Sequence, residues 1–129
     1  MHWFARLWAL PITLLGLLLA DVIRLSGGRL ERHGIGLEAS EGGASRVLWC
    51  LNPWLRIDAI TLGEVIIARD RQTAQRMRSH EQVHVLQYGR WDILFPVAYA
   101  IASLIAVSRG DSAYHGNWFE REACRLAAR

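Results

Sequence analysis

His80, Glu81 and His84 spell HExxH, and Glu120 lies well downstream in a second helix-forming stretch, 117–123. Residues four apart on an α-helix share a face, so a single helix can present both imidazoles to one metal ion. Glu81 sits one step round that helix. From there its carboxylate reaches a water beside the metal without being a ligand, which is the place for a general base. The expected set is zinc held by His80, His84 and Glu120, with Glu81 taking a proton as the water attacks a carbonyl. Zinc would supply the rest by lowering the pKa of the water and polarising the substrate oxygen.

The segment 71–88 contains neither Pro nor Gly and is rich in helix formers, among them Ala74, Gln75, Met77, Glu81, Gln82 and Leu86. It predicts a helix stopping at Gly89, with HExxH in its second half. The competing reading is a solvated polar helix on which two histidines fall by chance.

This arrangement resembles the gluzincin group of zincin metallopeptidases, in which HExxH on one helix is completed by a Glu from a later helix. Glu120 followed by Ala123 is similar to the E-x-x-A pattern of the HtpX and prenyl-protein endopeptidase branch. That branch usually places Asp after the Ala, where this chain has Cys124. Over residues 57–124 the chain also resembles small uncharacterised bacterial membrane proteins. The shared pattern is Thr61-Leu62-Gly63, then HExxHVxQY with Val85, Gln87 and Tyr88 matching, a Trp, an apolar stretch, and Asn117-x-Phe119-Glu120-x-Glu122-Ala123. Members often carry His where this chain has Glu64. The resemblance implies a zinc-dependent peptidase of the bacterial inner membrane acting on a peptide or protein substrate.

A chain of 129 residues offers one modest core and little room for a separate recognition domain. The net charge of +3 comes with scattered Arg and no Lys, and no nucleic-acid motif accompanies it, so nucleic acid is not an expected partner. Cys50 and Cys124 lack metal-type spacing. Two buried free thiols are expected, with a disulfide as the alternative.

Residues 7–20 are uncharged, followed by Asp21, Val22 and Ile23. A bilayer span needs roughly twenty apolar residues, a length reached here only with Trp3, Phe4 and Trp8 at one interface and Arg24 at the other. A retained membrane-associated helix over 1–25 is expected, ahead of a metal-binding domain over 26–129. A cleaved signal, with Arg6 as its charge and Leu18-Leu19-Ala20 as a poor cleavage site, is the rival, and a buried core helix the third reading. Arg24, Arg29 and Arg32 behind the segment favour a cytoplasmic body.

Between residues 26 and 70 glycines punctuate short apolar runs. Alternation at Ile35, Leu37 and Ala39, a turn at Glu41-Gly42-Gly43, the run 47–51, a break at Asn52-Pro53 and a stretch 57–68 around Gly63 predict two to four antiparallel strands. The run 60–67 is the candidate edge for binding a substrate backbone, as in zincins, or is an ordinary packing strand. Residues 93–107 are again uncharged. Their helix would be about 22 Å long, against roughly 30 Å of hydrocarbon. A crossing would also strand Glu120 on the far side from His80 and His84, so the chain is expected to double back through 108–111. Tyr114 and His115, just before the Glu120 helix, are candidate donors to the oxyanion, and Asn117 is the expected N-cap.

The expected fold is α+β: a minimal zincin-like domain with a small antiparallel sheet, the HExxH helix, an apolar helix and a C-terminal Glu-bearing helix, preceded by an N-terminal hydrophobic helix. Two other functions stay open. One is a non-catalytic zinc-stabilised membrane or partner-binding module. The other is a metal-free helical membrane protein whose HExxH is coincidence.

Overall fold

The computed structural model describes residues 10–53, 57–91 and 94–128. Trp3, Phe4, Arg6 and Trp8, which figured in the reading of the N-terminus, lie outside the described residues, as does Ile93. The fold is α+β. In chain order it comprises α1 (Leu10–Leu25), β1 (Arg29–His33), β2 (Gly36–Ser40), α2 (Ala44–Leu51), β3 (Ala59–Leu62), β4 (Val65–Ala68), α3 (Arg71–Trp91), α4 (Phe95–Ser108) and α5 (Trp118–Ala127).

The strand order is β1-β2-β4-β3. Two hairpins, β1 with β2 and β3 with β4, are antiparallel, but β2 and β4 run parallel, so the sheet is mixed rather than antiparallel throughout. The cause is the connection. A parallel neighbour requires a crossover of a dozen or more residues, and the chain makes it through α2 and β3. Residues 47–51, expected as a strand, belong to α2. Ala44 and Leu48, four apart, are its buried residues, while Trp49 and Leu51 are exposed. A short apolar run does not reveal its period until its neighbours are included.

Strand alternation separates two packing layers. Val65 and Ile67 share a cluster with Ala20 and Ile23 of α1, Leu48 of α2 and Ala39 of β2. Ile66 is buried outside that cluster, beside Glu38 and Thr61 in the sheet register. Those two reach α3: Arg78 donates to both Glu38 carboxylate oxygens at 2.6 and 3.0 Å, and Thr61 reaches Glu81. The sheet therefore lies between α1 with α2 on one face and α3 on the other. A second cluster, Tyr88, Phe95 and Phe119, joins α3, α4 and α5, and Ile12 of α1 packs against both clusters.

Helix α1 is thus part of the core. Thr13, Gly16, Ala20 and Ile23 form its buried stripe at helical spacing. Its other face leaves Leu14, Leu15, Leu18 and Val22 exposed. Among the described residues no single helix is long and apolar enough to cross a membrane. The pair α3 and α4 meets the length and composition test only jointly, across a bend of 112°.

Asp70 starts α3, its carboxylate accepting from the Thr73 N–H at 2.7 Å. The helix then passes through Gly89, the expected stop, to Trp91. Tertiary contacts hold the extra turn: Arg90 pairs with Glu122 at 2.9 Å, and the Trp91 ring meets Phe119 edge-to-face. Cys50 and Cys124 are both free and both exposed, not buried as expected: Cys50 lies off the buried Ala44–Leu48 stripe of α2, and Cys124 stands on α5 with its Sγ 3.7 Å from His80 Nδ1.

The β3–β4 turn carries α1. Gly63 adopts φ +62°, and a Cβ there would collide with Thr13, whose Oγ1 accepts from the Glu64 N–H at 3.0 Å. Gly63→Ala combines left-handed strain with overpacking against the α1 backbone and is expected to cost about 2–4 kcal/mol. A urea midpoint unchanged from that of the parent would show that α1 is not seated on this turn.

Candidate metal centre

His80, Glu81 and His84 come from the second half of α3, where helical spacing places the two imidazole rings edge-to-face with centroids 4.9 Å apart. One ligand-type atom from each of the three lies within 4.8 Å of the others, and this group can hold a metal ion. Glu120, in the first turn of α5, points into the same space. Its Oε2 is 2.8 Å from His80 Nε2 and its Oε1 is 3.2 Å from His84 Nε2.

The return of Glu120 is built from α4 and the chain behind it. Gly110, at φ +77°, turns the chain out of α4, with the Asp111 N–H bonded to the Ala106 carbonyl at 2.9 Å. Asn117 then caps α5, accepting from the Phe119 N–H at 2.8 Å. Its amide also donates to the Tyr99 carbonyl and to Ser103 Oγ. The cap therefore fixes α5 against α4, and with it the position of Glu120. Tyr99, one helical turn before Ser103, donates its phenol O–H to Glu120 Oε1 at 2.7 Å.

Charge is concentrated in a nearly dry place. Glu81 is 4% exposed and accepts from Thr61 Oγ1 at 2.7 Å. Burial raises its pKa, and the nearby histidines and the Thr61 hydrogen bond offset this only in part. For Glu120 burial acts the same way, but the hydrogen bonds from His80 and His84 outweigh it and hold the carboxyl well below its usual range. Burial would lower the pKa of His84, yet contact with Glu120 and the charge of Glu81 leave it raised. Burial, followed by the charge of Glu120, raises both Tyr99 and Tyr114, so each remains an O–H donor at neutral pH.

Glu81, His84 and Glu120 open on a cavity of about 300 Å³. Its walls are largely apolar, with Ile57, Ile60 and Leu62 on one side and Tyr88, Phe95 and Pro96 on the other. All four residues of β3 line it. Among the described residues β3 pairs only with β4 and is the sheet's terminal strand, whereas β4 is interior, so the edge of the expected run 60–67 is β3 alone. Tyr114 also lines the cavity. His115 does not; both residues are exposed, with their ring centroids 5.2 Å apart and edge-to-face.

No family profile, no curated protein and no solved structure matches this chain.

Four residues without an assigned role in the sequence reading belong to the site: Thr61 on Glu81, Tyr99 on Glu120, Gln87, whose Oε1 is 2.7 Å from His84 Nδ1, and Cys124, whose Sγ is 3.7 Å from His80 Nδ1. The signal for Gln87 was its position three after His84, on the same helical face. Tyr99 is the phenol within an otherwise aliphatic stretch. Thr61 carried no local signal, since its partner is set by sheet register.

The donor geometry gives a direct expectation. The protein should bind about one divalent metal ion per chain, and His84→Ala or Glu120→Ala should abolish it, whereas Tyr99→Phe should weaken it about tenfold by releasing the carboxylate. Metal analysis of the dialysed proteins reads this out, and stoichiometric metal retained by His84→Ala would rule out the site.

Proposed function

We propose that the protein is a membrane-associated zinc-dependent peptidase of gluzincin type, with His80, His84 and Glu120 as ligands and Glu81 as general base. The observation that carries this reading is the convergence of Glu120 with the HExxH face beside a terminal strand and an apolar cavity. Two imidazoles and one carboxylate form a donor set of catalytic zinc sites. Ligands of one tetrahedral zinc with bonds near 2.1 Å lie about 3.4 Å apart, so the contacts of 2.8 and 3.2 Å need only slight relaxation.

Zinc, when bound, supplies Lewis acidity that activates water and polarises a carbonyl. The residues of the chain do the rest. The free edge of β3 receives an extended substrate backbone as an added strand, and the apolar walls exclude bulk water. Glu81 takes the proton of the attacking water and passes it to the leaving amine, with Thr61 fixing its carboxylate. Tyr114, protonated and facing the cavity, donates to the oxyanion.

Membrane association is supported by the outer faces of two helices. Leu18 of α1 is 62% exposed and Leu104 of α4 is 70% exposed, and α4 contains no charged residue. On this reading those bare aliphatic faces rest against the bilayer. The arginines following α1 favour a body on the cytoplasmic side of a bacterial inner membrane.

Glu81→Gln should retain zinc and fold while lowering peptide hydrolysis at least ~10²-fold, because an amide cannot accept the proton. Undiminished cleavage by that variant would rule out Glu81 as the base. Zinc binding without cleavage of any peptide in a broad library by the parent protein would favour the alternative, a zinc-stabilised partner-binding module. Tyr114→Phe should reduce kcat by about 10²-fold with KM little changed, and His115→Ala should leave both unaltered.

Topology is tested separately. Single cysteines at Gln75 and Ser112, both exposed, in a protein lacking Cys50 and Cys124, should label from the same side of sealed vesicles. Labelling from opposite sides would part His80 from Glu120 and end the gluzincin reading.

A further inference from the structure

Gln87 is fully buried, at 0% exposure, and all its polar atoms are engaged. Its Nε2 donates to the Phe119 carbonyl at 3.1 Å and to Glu122 Oε1 at 2.9 Å. Its Oε1 lies 2.7 Å from His84 Nδ1. A carbonyl and a carboxylate only accept, so they demand the NH₂ end of the amide and fix which way it faces. The oxygen end must then face His84. An amide oxygen also only accepts, so His84 Nδ1 must carry a hydrogen. In the neutral ring this leaves the lone pair on Nε2, the atom that faces Glu120.

The competing arrangement is close at hand. Without a partner at Nδ1, a neutral His84 would place its hydrogen on Nε2 and donate it to Glu120 Oε1, now 3.2 Å away. That tautomer cannot bind a metal through Nε2. We propose that Gln87 is a positioning residue that sets the tautomer of His84 and so keeps Nε2 available as a ligand, with Phe119 and Glu122 holding its amide in the required orientation. Arg90 anchors the outer end by donating to the same Glu122 oxygen at 2.9 Å. Because Phe119 and Glu122 flank Glu120 on α5, one amide both selects the ligand atom on α3 and ties α3 to the helix bearing the third ligand. The ligand role of Nε2 rests on the proposed zinc site. The tautomer does not.

The test separates the two. In the metal-free full-length protein, at a pH where His84 is neutral, ¹⁵N–¹H correlation through the imidazole should show its hydrogen on Nδ1. In Gln87→Met, which keeps length and apolar volume, it should move largely to Nε2, and zinc affinity measured by chelator competition should fall about 10–100-fold. Glu122→Leu removes an acceptor without touching His84 and should shift both readouts in the same direction. Glu122→Gln, which retains an acceptor oxygen, should restore both to near parental values. If Gln87→Met does not fold, the Glu122 pair carries the test alone. A parental His84 with its hydrogen on Nε2, or a Glu122→Leu protein with parental tautomer and zinc affinity, would overturn the proposal. A parental Nδ1–H tautomer in a protein that binds no zinc would leave the role of Gln87 standing and reject only the metal reading.

Discussion

The contact on which the architecture turns is that between the Glu120 carboxylate and the two histidines of α3. Four charged or chargeable groups, His80, Glu81, His84 and Glu120, gathered in a nearly dry space are costly unless each is paired. Here each is paired: Glu81 with Thr61, His84 with Gln87, and Glu120 with Tyr99 and both histidines. The sheet supplies the first, α3 itself the second and α4 the third. Loss of any one element would leave a buried polar group exposed to that cost, so the site binds the layers together as much as the layers position the site.

Positioning is achieved with few parts. α4 leads the chain away from α3 and Gly110 releases it from the helix. Asn117 then joins α5 to the Tyr99 carbonyl and the Ser103 hydroxyl of α4. The Phe95, Phe119 and Tyr88 rings fill the space between these helices, with Phe95 and Phe119 centroids 5.1 Å apart. A buried aromatic cluster of this kind sets the distance between helices through volume. The polar contacts then set register along them. Neither would be sufficient alone, since apolar packing permits sliding and an isolated hydrogen bond contributes only about 1 kcal/mol net.

What could be read in the sequence was what depends on local period and local chemistry. The i, i+4 pairing of His80 with His84, the N-cap at Asn117 and the reversal after α4 are each decided within a few residues, and each appears in the structure. Properties decided at a distance were not legible. Residues 47–51 take the helical form because Ala44 and Leu48 face a core supplied by α1 and β4. Gly89 continues α3 because Arg90 and Trp91 find partners on α5. The parallel pairing of β2 with β4 follows from the crossover between them, and Thr61 meets Glu81 only once β3 has its register beside β4.

The site also constrains how the apolar surface can be covered. Tyr99 and Ser103 fix one side of α4 to α5, while Val97, Ile101, Leu104 and Ile105 leave the other side bare. Both ends of α4 are held within the protein: Phe95 packs on Tyr88 of α3, Ser103 donates to the Ala113 carbonyl of the returning chain, and the Glu120 contact joins that chain back to α3. α1 is restrained in the same way, with its Thr13–Ala20–Ile23 stripe committed to the sheet. Under the proposed bilayer contact both helices lie along the interface with their bare faces towards the lipid. The cavity, walled by Phe95 and Pro96 at the start of α4, then lies directly behind one of those faces. The helix that carries the bare aliphatic face therefore also walls the cleft, so the seating of α4 on α5 sets both at once.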